Sequence, residues 1–280
     1  MAGTNQAERL AFLGAGTMGG TIVAGLVRAG RDPHTIAVTT RTPAHREELA
    51  RELGVQTFGS NAEAAEWADA LVIGVKPADA LALLDEITPQ IDGDTLVISL
   101  CAGLTTELLG AHLPAGAHVV RVMPNTPASI GAGMAGISGG SHATRSDVDQ
   151  ALALMRTVGK AVDIPEKLQD ALTAVSGSGP AYVFYFAEAL IEAGVTQGLP
   201  RALAGELAEQ TLLGAAQLLA TGDRSAAALR EAVTSPGGTT AAALRKLDEG
   251  GVRSAVQDAV EACARRSADL AAEAARADKA

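Results

Sequence analysis

Gly14, Gly16 and Gly19 stand in the spacing G-x-G-x-x-G, with Ala15, Thr17 and Met18 between them. That spacing lets a chain turn sharply out of a strand into a helix whose free N–H groups face an anion. It is the construction that holds the pyrophosphate of a dinucleotide. Gly14 permits the turn, Gly16 lets a pyrophosphate approach the backbone, and Gly19 lets the helix pack close to the strand. A second stretch with similar potential is Val233-Thr234-Ser235-Pro236-Gly237-Gly238-Thr239-Thr240, ahead of a helix over 241–247. Its glycines expose backbone, its threonines add hydroxyl donors, and a helix start there suits a carboxylate. A glycine hinge with a threonine cap is the simpler use of the same residues.

The type of dinucleotide is read at the end of the second strand. An NAD site expects Asp or Glu roughly 20 residues past the glycines, on the ribose hydroxyls. Here the chain reads Thr39-Thr40-Arg41-Thr42, without a carboxylate. Hydroxyls and a guanidinium suit a 2′-phosphate, so NADPH is expected, with NADH as an alternative donor. Lys76 follows an apolar strand and precedes Pro77, at the strand end where open parallel sheets bind ligands; a solvated lysine there is the plainer reading. Asn61 opens a helix and is expected to cap it.

The elements that must position these residues follow from apolar spacing. Residues 10–13 form a buried strand, and Met18, Ile22 and Leu26 mark one face of the helix after the glycines. Strands are expected at 35–40, 55–58, 70–75, 95–100, 118–123 and 161–164, with helices at 44–53 and 143–158. Alternating strands and helices define a doubly wound α/β Rossmann-type domain, assigned to residues 1–165. From residue 166 to 280 the pattern is all-α, broken at 177–180, 198–200, 221–223, 236–238 and 250–251, with an alanine-rich tail after Ala268. The helix at 203–220 is apolar or small on almost every side, so it must be buried, and a partner subunit is the natural cover.

Composition narrows the function. The net charge of −10 argues against nucleic acid or an anionic membrane as partner. The most apolar helical stretch, 182–195, is interrupted by Glu188 and Glu192, so no bilayer span is expected. Residues 1–8 are polar and lack a signal-peptide pattern, which points to the cytoplasm. The two cysteines, Cys101 and Cys263, suggest neither a disulfide framework nor a metal site. Cys101 reads as a small buried residue, because no histidine pairs with it in a motif.

A two-domain dinucleotide enzyme suggests hydride transfer, and alcohol dehydrogenases need His or Lys as general acid or base. None of the five histidines lies in a site-like stretch. Reduction of a protonated imine needs no such acid, because the nitrogen already carries its proton; a hydroxyl that orients the nitrogen suffices.

The chain resembles the pyrroline-5-carboxylate reductases along nearly its whole length. The resemblance lies in Phe12-Leu13-Gly14-Ala15-Gly16-Thr17-Met18-Gly19, Val75-Lys76-Pro77, Val122-Met123-Pro124-Asn125-Thr126-Pro127 and Ser176-Gly177-Ser178-Gly179-Pro180-Ala181-Tyr182. It continues in Gly198-Leu199-Pro200 and Thr234-Ser235-Pro236-Gly237-Gly238-Thr239-Thr240. It implies NAD(P)H-dependent reduction of 1-pyrroline-5-carboxylate to L-proline and an intertwined homodimer, assembled further to a decamer in some members, with active sites shared between subunits. It places Gly14 to Gly19 on the pyrophosphate, Thr40 and Arg41 on the adenosine phosphate, Asn61, Val75, Lys76 and Pro77 along the cofactor, and Ala102 and Gly103 by the nicotinamide. Gly238, Thr239 and Thr240 would hold the substrate carboxylate and ring nitrogen, with Thr240 as the catalytic hydroxyl and Glu166 nearby. No metal is implied. Ala232 stands where some members carry a polar residue, which puts that one contact in doubt. A β-hydroxyacid dehydrogenase would need a lysine where Val183 stands, and a non-catalytic NADP sensor gives no reason for Ser235-Pro236-Gly237-Gly238-Thr239-Thr240.

Overall fold

In the first strand, β1 (Leu10–Leu13), every residue is buried, and alternate side chains enter opposite layers. Leu10 and Phe12 join one apolar cluster, Ala11 and Leu13 the other. A strand covered on both faces must be apolar throughout, and it belongs in the middle of a parallel sheet. The computed structural model describes residues 9–278, so residues 1–8, expected to lack a leader pattern, lie outside the described residues.

The other strands are β2 (Ile36–Val38), β3 (Gln56–Thr57), β4 (Ala70–Ile73), β5 (Leu96–Ser99), β6 (His118–Met123), β7 (Gly133–Gly139) and β8 (Gly159–Asp163). Their order is β3-β2-β1-β4-β5-β6-β7-β8, so the chain reverses direction across the sheet between β3 and β4. All pairings are parallel except β6 with β7. One face is covered by α1 (Thr17–Arg28), α2 (Pro43–Leu53) and α6 (Arg145–Arg156). The other is covered by α3 (Asn61–Trp67), α4 (Pro77–Ile87) and α5 (Thr106–Ala111), joined by Ala274 and Ala275.

Two expectations need correction. Strand β7 has no counterpart in the strands read from the sequence. Its glycines hide the apolar run, and they are there for packing: a Cβ on Gly133 would lie 2.9 Å from Ala128 and from the Val158 carbonyl. The helix cap is Ser60, not Asn61; the Glu63 amide donates to the Ser60 hydroxyl at 3.4 Å. Asn61 is the first helical residue, which frees its side chain for other partners.

By its internal contacts the chain divides differently from the 165/166 boundary. Residues up to Ser178, together with the chain from Cys263 onward, form one unit, and residues 179–262 form the other. The first unit thus takes in α7 (Gln169–Leu172) and a π turn, Thr173–Gly177, closed by the Ser178 amide on the Thr173 carbonyl at 2.8 Å. The expected break at 177–180 is therefore a wide turn leading into a helix. The last helix, α12 (Val252–Asp278), lends its C-terminal part to the sheet unit, where the Ser267 hydroxyl donates to Asp170 at 2.7 Å.

The second unit contains α8 (Gly179–Thr196), α9 (Arg201–Ala220), α10 (Ala226–Ala232) and α11 (Thr239–Glu249), with no strand among the described residues. Gly194 lets α8 approach α9: a Cβ there would meet that of Ala204 at 3.2 Å. Within the chain α9 buries only Ala204 and Ala208, and α8 buries nothing. Phe184 is 63% exposed, Tyr185 76% and Leu213 51%. A helix pair this apolar and this open needs a second surface over it. No helix among the described residues is long and apolar enough to cross a membrane.

Candidate active site

The glycine turn is built as the spacing predicts. Gly14 has φ +83°, and a Cβ there would overlap the Val75 side chain, so the position requires glycine. Three amides of the turn are spent on holding its shape. The Gly14 amide donates to the Thr39 hydroxyl at 3.0 Å, that of Ala15 to the Thr39 carbonyl at 2.8 Å, and that of Gly16 to the Gly14 carbonyl at 2.7 Å. Helix α1 then starts on Gly16 without a side-chain cap. The amides of Thr17, Met18 and Gly19 therefore lack a backbone acceptor among the described residues, and they present the positive end of the helix. Nothing lies within 4 Å of a Cβ built on Gly16, so the turn is open on that side. Open space beside free helix-start amides fits a pyrophosphate. Gly19 is less constrained than expected, since a Cβ there makes only ordinary contacts of 3.5 Å and longer.

At the end of β2 the three hydroxyl and guanidinium groups part company. Arg41 is exposed, and the Thr40 hydroxyl donates to the Thr42 carbonyl at 2.8 Å. Thr39 is buried, and its hydroxyl donates to Asn61 Oδ1 at 2.7 Å, so it faces the interior and not an adenosine phosphate. Asn61 Nδ2 in turn donates to Glu86 at 3.3 Å. Lys76 and Pro77 are exposed at the start of α4, with Val75 half-buried beneath them. After β5, Ala102 is exposed while Gly103 is buried, with φ +77° and α12 against it: its Cβ would lie 3.6 Å from that of Leu270. Cys101 is buried, and burial pushes its thiol up to about 11, so it stays protonated at neutral pH and is no nucleophile.

Glu166 is engaged inside the sheet unit. One carboxylate oxygen accepts the Thr106 amide at 2.8 Å and Arg121 at 3.4 Å, and the other accepts the Thr106 hydroxyl at 2.6 Å. Sequence reasoning missed Arg121, although an arginine inside an otherwise apolar strand is itself a signal. Nor did it give Asn125 a role beyond its place in the family-like stretch 122–127. Asn125 Nδ2 donates to the Ser176 carbonyl at 3.0 Å, and Asn125 Oδ1 accepts the Met134 amide at 2.8 Å. That side chain fastens the end of β6 to the π turn.

The stretch before α11 repeats the logic of the glycine turn. Gly237 has φ +69°, Gly238 heads the helix without a side-chain cap, and the Gly238 amide donates to the Ser235 carbonyl at 3.0 Å. The Ala242 amide returns to the Gly238 carbonyl at 3.1 Å, which leaves Thr239, Thr240 and Ala241 as free helix-start amides among the described residues. Thr239 is exposed and Thr240 half-buried. This is a binding geometry for a small anion with a hydroxyl beside it.

A dinucleotide turn at the carboxyl end of a parallel sheet, followed in the chain by an all-helical segment, defines the class of nicotinamide-dependent oxidoreductases. Comparison with known proteins specifies it further. Residues 166–270 match the family model described as pyrroline-5-carboxylate reductase dimerisation, and residues 9–103 match NADP oxidoreductase, coenzyme F420-dependent. The chain is 42% identical over 285 residues to a pyrroline-5-carboxylate reductase of Mycobacterium tuberculosis, covering 94% of this chain and 96% of the relative. Over 264 residues it is 40% identical to that of Corynebacterium melassecola, covering 93% and 98%. The pyrroline-5-carboxylate reductase structure from Coxiella burnetii superimposes with a TM-score of 0.90 at 37% identity, covering 95% of this chain and 99% of the other. A Plasmodium falciparum pyrroline carboxylate reductase with NADP bound gives a TM-score of 0.83 at 31% identity, covering 94% and 98%. The chain belongs to the pyrroline-5-carboxylate reductase family. It is an NAD(P)H-dependent oxidoreductase of C=N bonds, and it carries the family's dimerisation segment.

Proposed function

We propose that the protein reduces 1-pyrroline-5-carboxylate to L-proline with NADPH, the last step of proline biosynthesis, and that its residues divide the work as follows. The amides of Thr17, Met18 and Gly19 hold the pyrophosphate, on a turn shaped by Gly14, Ala15 and Gly16. Thr40 and Arg41 meet the 2′-phosphate, while Asn61, Val75, Lys76 and Pro77 line the cofactor and Ala102 and Gly103 border the nicotinamide. When bound, the reduced nicotinamide supplies a hydride.

The observation that carries the substrate reading is the uncapped, glycine-headed start of α11. Gly238, whose missing Cβ leaves room for the Ser235 side chain, shapes the loop; the Thr239 and Thr240 amides hold the substrate carboxylate, and the Thr240 hydroxyl aligns the ring nitrogen. As the imine carbon gains its hydride, the π pair of the C=N bond passes to a nitrogen that already bears its proton. No side chain has to donate or remove a proton in that step, which accounts for the lack of a site histidine, and no metal is required. Glu166 is the further residue on the substrate side, as the resemblance implies.

The protein works as a homodimer through α8 and α9, with each active site shared between subunits and with further assembly to a decamer. Residues 1–165 serve the cofactor and residues 166–280 serve substrate and dimer. The cytoplasm is its compartment. The test is oxidation of NADPH followed at 340 nm on addition of 1-pyrroline-5-carboxylate. Proline should form mole for mole, and NADH should be used less well. A folded, dimeric protein that binds NADPH and leaves it unoxidised would refute the proposal.

A further inference from the structure

The glycine turn is held from the side by a chain of three side chains. The Thr39 hydroxyl accepts the Gly14 amide at 3.0 Å and donates to Asn61 Oδ1 at 2.7 Å; Asn61 Nδ2 donates to Glu86 Oε2 at 3.3 Å. The direction of this chain is fixed by charge. The Glu86 carboxylate can only accept, so the Asn61 amide must turn its nitrogen outward and its oxygen inward. The inward oxygen can only accept, so the Thr39 hydroxyl must give it a proton and keep a lone pair for Gly14. Reversing Asn61 would set its oxygen against Glu86 and leave Thr39 between two donors.

Residue 39 also holds the turn through its backbone. Its amide donates to the Phe12 carbonyl at 2.9 Å, and its carbonyl accepts the Ala15 amide at 2.8 Å. Thr39 is 4% exposed, so its hydroxyl has no solvent to fall back on. Asn61 keeps one Nδ2 hydrogen outside the chain. We propose that Thr39 is a positioning residue for the dinucleotide: its hydroxyl, oriented by Asn61 and Glu86, fixes the Gly14 amide and so aims the free amides of Thr17 and Met18. This rests on the reading of Gly14 to Gly19 as the pyrophosphate turn.

The test compares Thr39→Val, Thr39→Ser and Glu86→Ala with the wild-type protein, titrating NADPH and NADH separately and recording the thermal midpoint and cofactor KM against kcat. Thr39→Val keeps the shape and removes the hydroxyl. It should weaken both cofactors by the same factor, about tenfold, which is one orienting hydrogen bond, with KM rising more than kcat falls. Thr39→Ser should bind within about threefold of wild type, because one hydrogen bond is preserved. Glu86→Ala lies on the surface, and it should weaken both cofactors equally and by less than Thr39→Val. Wild-type affinity in Thr39→Val would overturn the proposal, as would a Ser variant no better than Val. A loss confined to NADPH would overturn it too, by showing that Thr39 reads the 2′-phosphate. If Thr39→Val fails to fold, Glu86→Ala decides, and unchanged affinity there refutes the relay. A wild-type protein that binds neither cofactor would sink the turn assignment and the relay with it.

Discussion

Glu166 and Thr106, sixty positions apart in the chain, are joined twice: the Thr106 amide donates to one carboxylate oxygen at 2.8 Å and its hydroxyl to the other at 2.6 Å. The pair fastens the start of α5 to the segment that follows β8. The same carboxylate is the charge partner of Arg121, which is 3% exposed on β6 and whose Nη2 has no partner among the described residues. Removing the carboxylate strands a buried cation and a helix-start amide together. Glu166→Ala should therefore cost about 2–4 kcal/mol of stability, read by urea unfolding. Glu166→Gln should cost less, since it still accepts from Thr106. If Glu166 served only to grip the substrate, KM would rise and stability would not change.

The residues of this network show where sequence reading stops. Strands β1, β4 and β5 were legible because each is almost wholly apolar, β6 because its valines and Met123 outweigh His118 and Arg121, and the turn at Gly14 because its spacing has few other uses. Strand β7 was not, since its glycines serve close approach and carry no period. The inward aim of the Thr39 hydroxyl was also hidden: residues 39, 40 and 41 are all polar, and only the ladder beside β1 decides which one points inside. The tail after Ala268 read as helix, but an alanine-rich helix does not specify what it packs on. In the structure its end lies against the sheet unit, with Ala274 and Ala275 half-buried against the core and Leu270 beside Gly103.

The two glycines that open the turn should respond to alanine in opposite ways. At Gly14, φ +83° and the Val75 side chain both oppose a Cβ, so Gly14→Ala should lower stability by about 1–3 kcal/mol. At Gly16 a Cβ meets nothing within 4 Å, so the thermal midpoint should hold. NADPH affinity should nonetheless fall by about tenfold or more, because the methyl group enters the space read as that of the pyrophosphate. Thermal unfolding and NADPH titration of both variants settle the matter. A Gly16→Ala protein with full affinity would mean that the cofactor takes another path.

Assembly is tested on the open face of α9. Leu213 is 51% exposed within the chain, so arginine there can turn its charge to solvent with little loss of packing inside the chain. Leu213→Arg should shift sedimentation from the dimer or larger species toward monomer, and activity should fall with it. Far-ultraviolet dichroism should change little. A Leu213→Arg protein that remains dimeric and active would place the subunit contact elsewhere.

His112 supplies a pH-dependent fastening for the end of α12. Its two ring nitrogens lie 2.7 Å from Asp85 and 2.7 Å from Asp278. Burial alone would lower its proton affinity, but hydrogen bonds and charge from both carboxylates outweigh burial and raise the pKa above the ordinary 6.5. A group raised in the folded state contributes stability that is fully present below its unfolded value and lost as pH rises through the folded one. The fastening should hold below pH 6.5 and loosen as pH rises above it, through the raised folded value. Amide exchange in the last turns of α12 should quicken as pH rises, beyond the intrinsic base catalysis of exchange, and His112→Gln should abolish that extra dependence. An identical pH profile in the variant would show that the contact contributes nothing.

The chemistry rests on Thr240. The start of α11 offers free amides whether or not residue 240 carries a hydroxyl, so carboxylate binding should survive Thr240→Ala. Alignment of the ring nitrogen should not. The loss in kcat/KM should be about tenfold to a few hundredfold, the worth of one orienting hydrogen bond at roughly 1.5–3 kcal/mol. Removal of a true proton donor would typically cost about 10²–10⁴-fold, so a loss at the upper end of that range would point to acid catalysis after all. Thr240→Ser keeps the hydroxyl and should keep most of the activity. NADPH affinity should be unchanged, because the residue lies outside the unit that carries the glycine turn. Full activity in a folded Thr240→Ala protein, assayed at low substrate, would reduce Ser235 to Thr240 to a hinge and leave the imine nitrogen to be held by another residue.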